Sequence, residues 1–277
     1  MAAVRSKASF YFESDSAIWQ VNRERVLLLT GAKVLLMQIA HPMVAESVYN
    51  HSYVFKKPLL RLHRTLTLTL GMVFGTQEEV QQSIAEIEKA HRPATGRIED
   101  TIGKHKAGAS YNPRNPRQAL WVFATLVEGA ISGYETLVKP LPDEKKEEFL
   151  QNSTSIATWM GIPQQYLPKT YPALLNYMEE AIADEEIIVG EKARKIAPFI
   201  TAQSIPVLNL MSYPLIRVNI ALLPEKLREQ YGYQIAGWEK TLIANSFALS
   251  RMTTPRLPGI LRYAPEYQRA MRLKQIS

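Results

Sequence analysis

The chain has 277 residues, of which 46% are hydrophobic and 21% charged, a balance that predicts a large core and excludes wholesale disorder. Lysine and arginine outnumber acidic residues by 33 to 26, but they are scattered without interleaved aromatic residues, so we expect no nucleic-acid partner. Cysteine is absent, which excludes disulfides and thiolate ligands for a metal.

The N-terminal part of the chain predicts one continuous helix over residues 16–40, followed by a short helix over residues 43–50. His41 precedes a proline, which disfavours the helical conformation, so the first helix should end there. Residues 26–40 are strongly apolar but too few to span a membrane. The start of the chain lacks the apolar core of a signal peptide. We therefore expect a cytoplasmic protein with at most peripheral membrane contact.

Residues 58–96 read as two consecutive helices, the second covering residues 77–94. Thr76 can cap the second helix, and two glutamates in its first turn oppose the positive end of the helix dipole. Its apolar stripe is Val80, Ile84 and Ile87. The next position at this spacing is His91, so the imidazole is predicted to point inward.

The first helix of this pair carries polar groups on an otherwise apolar face. Arg61, Thr65, Leu68 and Met72 share this face, and Arg64 lies on its flank. A cation that is buried needs an anion, which suggests an acidic ligand. Two alternatives stay open: the arginines can be a surface pair that covers the core with its apolar stems, and Thr65 can bond to its own helix backbone.

The rest of the chain predicts helices and one long loop, so we expect a single all-α domain over residues 1–277. The loop covers residues 97–116, and its second half is expected to pack on the surface through Tyr111. The helices predicted after it cover residues 116–138, 143–161, 170–184 and 208–222, the last with a kink at Pro214. Two further segments cover residues 191–198, after an acid-rich turn, and 235–251. Residues 255–265 should end the ordered core, and a short basic helix should close the chain.

The five histidines are the main candidates for chemistry, although a histidine on an apolar stripe is more often a core residue than a ligand. His105 lies between lysines and should be solvated, and His63 should point away from the face that carries Arg61. His41 and His51 lie at helix ends, where a ring N–H can satisfy a free carbonyl. No phosphate loop, dinucleotide fingerprint, HExxH or GxSxG motif is present, which disfavours conventional kinases and hydrolases.

A series of spaced matches over about residues 20–180 resembles the catalytic-domain family of the mpaB-type and rubber oxygenases, the latter also called latex clearing proteins. In the first half they are Gly31-Ala32, Leu35-Leu36, Gln38 to Pro42, Val44-Ala45, Val48, His51-Ser52, Pro58, Arg61-Leu62, Arg64-Thr65, Phe74-Gly75, His91 and Gly96. They continue with Tyr111, Pro116, Leu120 to Val122, Ala124 to Val127, Gly161 to Pro163 and Leu167-Pro168, and more weakly with Leu257-Pro258 and Leu261-Arg262.

This resemblance implies an all-α domain with haem b (iron protoporphyrin IX) in a pocket buried between helices. It makes His91 the proximal iron ligand and gives Arg61 and Thr65 catalytic positions on the distal side. His41, Arg61, Arg64 and Thr65 are expected to contact the cofactor. Arg64 stands where latex clearing members carry a lysine that can reach the iron, and a guanidinium is a poor ligand because it stays protonated. Rubber cleavage is not implied, since no residue is matched to the acidic base proposed for the rubber enzymes.

The leading hypothesis is a haem-dependent oxygenase that uses dioxygen or peroxide on an apolar, isoprenoid-like or polyketide-like small molecule. A fold match supports a site before it supports a reaction, so a non-catalytic protein that binds haem or a hydrophobic ligand is the alternative. A third hypothesis is a helical interaction module in which the histidines are structural.

Overall fold

The chain folds into α-helices in a computed structural model that describes residues 9–52, 55, 58–201 and 206–276. Within this part, fourteen helices are Ala17–Asn22 (α1), Gly31–Ala40 (α2), Pro42–His51 (α3), Pro58–Phe74 (α4), Gln77–His91 (α5), Pro116–Leu137 (α6), Asp143–Trp159 (α7), Tyr171–Ala183 (α8), Glu191–Ile200 (α9), Pro206–Ala221 (α10), Glu225–Gln230 (α11), Gly237–Thr253 (α12), Gly259–Arg262 (α13) and Pro265–Ile276 (α14). Short 3₁₀ helices cover Arg25–Thr30, Gln164–Tyr166 and Thr254–Arg256. The all-α prediction is confirmed.

The predicted loop over residues 97–116 contains a minimal sheet. Gly96–Arg97 (β1) and Ser110–Tyr111 (β2) pair antiparallel, with Gly96 opposite Tyr111. The Tyr111 ring is buried against Met43 and Ile98, so the second half of the loop packs through this residue. The small sheet therefore holds the long connection against α3.

The prediction of one continuous helix over residues 16–40 is wrong. After α1 the chain passes through a 3₁₀ helix before α2 begins at Gly31. The break lies at Glu24, whose buried carboxylate accepts hydrogen bonds of 2.7 and 2.8 Å from Arg262, while its backbone pairs with Tyr263. Contacts with the C-terminal segment thus override the local helix propensity at this position.

The main core is organised around α2 and α6. The Trp121 indole N–H donates to the carbonyl of Met37 at 2.8 Å, and both residues are buried. Lys33, also buried, donates to both carboxylate oxygens of Glu128 at 2.6 and 2.8 Å. One apolar cluster and one buried ion pair therefore join the same two helices.

The predicted helices between Pro116 and Thr253 are present with boundaries shifted by a few residues. Asn115 caps α6 and Thr170 caps α8, each accepting a backbone N–H through its side chain. Pro214 lies inside α10, and the kink expected there stays a prediction. These boundaries follow from local capping and proline signals, which sequence reasoning reads well.

The closing helix belongs to the core, so the prediction that residues 255–265 end the ordered core is wrong. Tyr267 on α14 lies edge-to-face against Trp19 and Phe74, with ring centroids 5.8 and 5.6 Å apart. Ala270 is buried in the same cluster. Aromatic contacts between distant segments, which local periodicity does not reveal, hold this helix in place.

No single helix in the described ranges is long and apolar enough to cross a membrane. One pair, Arg25–Ala40 with Pro42–His51, passes the same test of length and composition when taken together, but it is bent by 104°.

Candidate functional site

The candidate site is built on the hairpin of α4 and α5. A capping box starts α5: the Thr76 hydroxyl accepts the N–H of Glu79 at 3.4 Å, and the Glu79 carboxylate accepts the N–H of Thr76 at 2.9 Å. This satisfies two of the free N–H groups at the helix start. The predicted cap is confirmed, and it fixes a tight turn after α4.

Two contacts define how the two helices of the hairpin are aligned. A Cβ added to Gly71 would lie 2.9 Å from the Ser83 hydroxyl oxygen, which shows a close approach there. Farther from the turn, Arg64 donates to Glu86 at 2.7 Å. Because the helices run in opposite directions, each step back along α4 matches a step forward along α5. This alignment places Arg61 level with the last turn of α5, which contains His91.

His91 ends the apolar stripe of α5, but its side chain is accessible to solvent rather than packed in the core. Val80 and Ile84 on the same stripe are buried. Although the ring is accessible, burial by the surrounding protein lowers the pKa of His91. At neutral pH the imidazole is therefore neutral and has a lone pair available for a metal.

Arg61 is a cation without a partner in the described part of the chain. Its guanidinium is half-buried, and burial lowers the pKa of Arg61. No carboxylate and no hydrogen-bond acceptor for it is found among the described residues. A cation in this setting is stabilised by an anionic group, so the site suits a ligand that carries carboxylates.

The Thr65 side chain is exposed, and its hydroxyl donates to the carbonyl of Arg61 at 2.9 Å. The alternative in which Thr65 bonds its own helix backbone is the arrangement observed. Its oxygen can still accept a hydrogen bond, whereas donation to a ligand requires the hydroxyl to rotate away from the backbone.

Arg64 is held in the exposed ion pair with Glu86, in which the two side chains are 57% and 49% accessible. The alternative of arginines on the surface thus describes Arg64 but not Arg61. Contact of Arg64 with a cofactor stays a prediction, and it requires the guanidinium to leave Glu86.

His41 lies apart from this hairpin, at the start of α3. It is 1% exposed, and its Nδ1 accepts the backbone N–H of Met43 at 3.2 Å. Burial and the neighbouring His105 lower the pKa of His41 to about 3. The ring therefore caps a helix by accepting an N–H, rather than donating to a carbonyl. Its predicted contact with a cofactor stays a prediction.

His105 is partly buried and held by contacts within the protein, whereas the sequence-based prediction was a solvated side chain. Its ring lies 5.1 Å from that of His41, and its Nε2 is 2.8 Å from the carbonyl oxygen of Glu186. The loop that carries His105 is held against residues 185–186. This long-range contact cannot be predicted from the lysines that flank the histidine in the sequence. His63 is exposed on α4, as expected.

Sequence reasoning missed a polar network that joins α3 to α9. The buried Glu46 accepts hydrogen bonds from Lys192 at 2.5 Å and from Asn50 at 3.1 Å. Asn50 also donates to the Tyr111 hydroxyl at 3.2 Å, which lies 3.0 Å from the His51 ring. The one signal in the sequence was the spacing of Glu46 and Asn50, four apart on one helix.

The residues at the open end of the hairpin fit a haem group. A haem needs one axial side chain from the protein, and the neutral His91 can supply it. Its propionates need cations, and Arg61 is unpaired among the described residues. In that part of the chain no cluster of three or more histidine, aspartate or glutamate side chains could hold a metal ion.

Comparison with known protein families identifies the class to which the chain belongs. The family described as “ER-bound oxygenase mpaB/B'/Rubber oxygenase, catalytic domain” matches residues 18–253. The chain therefore belongs to this family of oxygenase catalytic domains, which confirms the resemblance seen in the sequence.

Two curated relatives are uncharacterized proteins of mycobacteria. Mb2261 of Mycobacterium bovis and Rv2237 of Mycobacterium tuberculosis are each 26% identical over 160 residues. The aligned region covers 56% of this chain and 60% of each relative. The chain thus spans less than two thirds of the length of these relatives. No solved structure gives a significant match.

Proposed function

We propose that this protein is a haem b-dependent oxidoreductase, an oxygenase that acts on an apolar small molecule of isoprenoid-like or polyketide-like character. The observation that carries the proposal is that the alignment of α4 and α5 puts Arg61 level with the helical turn that contains His91. Arg61 is half-buried and His91 is accessible to solvent. Neither has a side-chain partner in the described ranges, and both lie toward the end of the hairpin opposite its turn. Membership of an oxygenase catalytic-domain family supports the same reaction class.

His91 would hold the iron through its neutral imidazole. Its pKa is lowered by burial, so the lone pair stays available below the pH at which an ordinary histidine is protonated. When bound, haem supplies a redox-active iron that can activate dioxygen or peroxide for transfer to a substrate. The apolar stripe of α5 below His91 would keep water from that side.

Arg61 would bind a propionate or orient the oxygen co-substrate, because its cation has no competing carboxylate among the described residues. Thr65 is one helical turn farther along α4 and would help to orient the same co-substrate through its hydroxyl. Arg64 would serve as a second cation for the propionates if Glu86 releases it. His41 would contribute by fixing the start of α3.

An apolar substrate is supported by the side chains that flank Arg61 on α4. Leu60 and Leu62 are 59% and 39% exposed. Large apolar side chains left accessible beside an unpaired cation suit a ligand with an apolar body. These apolar side chains would bind the substrate and exclude water.

The proposal is tested by oxygen uptake of the haem-loaded protein with a panel of terpenoids and unsaturated lipids. An oxygenase consumes oxygen in proportion to one class of substrate, and Arg61→Ala reduces the rate roughly a hundredfold or more, as for loss of an electrostatic catalytic group. The matched control is His63→Ala, an exposed residue of the same helix, which leaves the rate unchanged. Haem and ligand binding without turnover would instead identify a carrier.

A further inference from the structure

The helix α12 has two apolar faces, and only one of them is packed against the protein. On the packed face Ile243 is buried, and Ser250 donates to the carbonyl of Leu137 at 2.8 Å. On the other face lie Trp238, Leu242, Leu249 and Met252, with exposed fractions of 66%, 58%, 56% and 55%. The steps of four, seven and three residues between them put all four on one stripe.

This stripe continues onto neighbouring elements. Leu257, Ile260 and Leu261 follow α12 in the chain and are 43%, 71% and 58% exposed. Helix α13 contacts the 3₁₀ helix Arg25–Thr30, on which Leu28 and Leu29 are also exposed. We call these nine side chains the apolar face. A group of exposed apolar side chains on elements that are neighbours in the fold marks an interaction site, whereas single exposed leucines do not.

The charges around the apolar face are of one sign. Between residues 236 and 264 the sequence has a single carboxylate, Glu239, which is buried and accepts two 2.6 Å hydrogen bonds from Arg217. Lys240, Arg251 and Arg256 are exposed, and no carboxylate pairs with them in the described ranges. Residues 25–40 contain no acidic residue. The segments that carry the apolar face therefore present exposed cations and no exposed carboxylate.

We infer that the apolar face docks onto a membrane surface that contains anionic phospholipid. The apolar side chains enter the boundary between headgroups and acyl chains, Trp238 lies at headgroup level, and the three cations pair with lipid phosphates. A second copy of the chain is a poorer occupant, because a twofold interface brings Lys240, Arg251 and Arg256 close to the same cations of the other copy.

The test is flotation of the full chain with phosphatidylcholine vesicles, with or without phosphatidylserine. We expect binding to the vesicles with phosphatidylserine, weakened by salt. Lys240→Gln with Arg251→Gln weakens binding about fivefold for each cation removed. Leu242→Ser with Leu249→Ser weakens it roughly tenfold for each leucine. The control is Lys106→Gln with Lys169→Gln, two exposed lysines on other elements, which leaves binding unchanged.

Three results would overturn the inference: no flotation with either vesicle, equal loss in the control variant, or unchanged binding in the leucine variant. A dimer by light scattering that becomes a monomer in the leucine variant would also overturn it and assign the face to a second copy. Unchanged thermal unfolding shows that the variants are folded, since all the substituted side chains are exposed. Membrane binding needs no haem, so its failure and a failure of the haem site are separate results.

Discussion

Arg64 and Glu86 form a 2.7 Å ion pair on the α4–α5 hairpin, with 57% and 49% of their side chains accessible to solvent. Arg262 and Glu24 form an ion pair of the same length, but their side chains are 13% and 0% accessible. The two ion pairs therefore have the same length but very different exposure to solvent. We expect the loss of the buried pair to lower the free energy of unfolding more than the loss of the exposed pair.

Glu24→Gln should destabilise the protein by roughly 3 kcal/mol, because the substitution leaves Arg262 buried beside a group that no longer balances its charge. Glu86→Gln should lower stability by less than about 1 kcal/mol, since water and salt screen the exposed pair. Urea unfolding of both variants measures the difference. Equal effects would show that the buried pair does not fix the break between α1 and α2.

His41 should make stability depend on pH. Its pKa is 6.5 when unfolded and about 3 in the folded chain, so between these values the unfolded state binds the additional proton. Stability due to the neutral ring is complete above pH 6.5 and declines as the pH falls toward 3. Near pH 5 the expected slope is about 1.4 kcal/mol per pH unit.

The matched variant for this prediction is His41→Asn. Asparagine can still accept the N–H of Met43 as a helix cap but does not titrate. The free energy of unfolding of wild type and variant is measured in urea from pH 7 to 4. The difference between the two proteins removes the contribution of the carboxylates, which titrate in both, and leaves that of the histidine. A difference that stays flat over this range would contradict the burial of a neutral ring.

Arg61→Met should raise the stability of the haem-free protein by about 1 kcal/mol, because it removes a cation that is surrounded by protein and has no described partner. The same substitution should weaken haem binding. Arg64→Met is the control, and it should change stability by less than about 1 kcal/mol because that side chain is exposed. Chemical unfolding without haem and haem titration provide the two readouts. A loss of haem-free stability in Arg61→Met would mean that the guanidinium already has a partner.

The helical elements could be predicted from the sequence where their signals are local. The sequence predicted helix starts at Thr76 and Thr170, and both side chains cap their helices in the structure. The predicted end at His41 and Pro42 is also the end of α2. The break at Glu24 could not be predicted, because its cause is Arg262, far along the chain. Local propensity is a weak prior that tertiary contacts of this kind override.

The candidate site was predictable to a similar extent. Helical spacing placed His91 on the stripe of α5 and Arg61 on a face of α4, but spacing alone does not align two helices. The contact of Gly71 with Ser83 and the Arg64–Glu86 pair supply that alignment. The contact between the His105 and His41 rings joins segments more than sixty residues apart and has no local signature.

The measurement that tests the central claim most directly is the absorption spectrum of protein purified with haem supplied. We predict a Soret band for wild type and for His63→Ala, and its loss or displacement in His91→Ala, because His91 is the proposed axial ligand. A wild-type protein without a Soret band, or a His91→Ala spectrum identical to wild type, would contradict the assignment of the haem site.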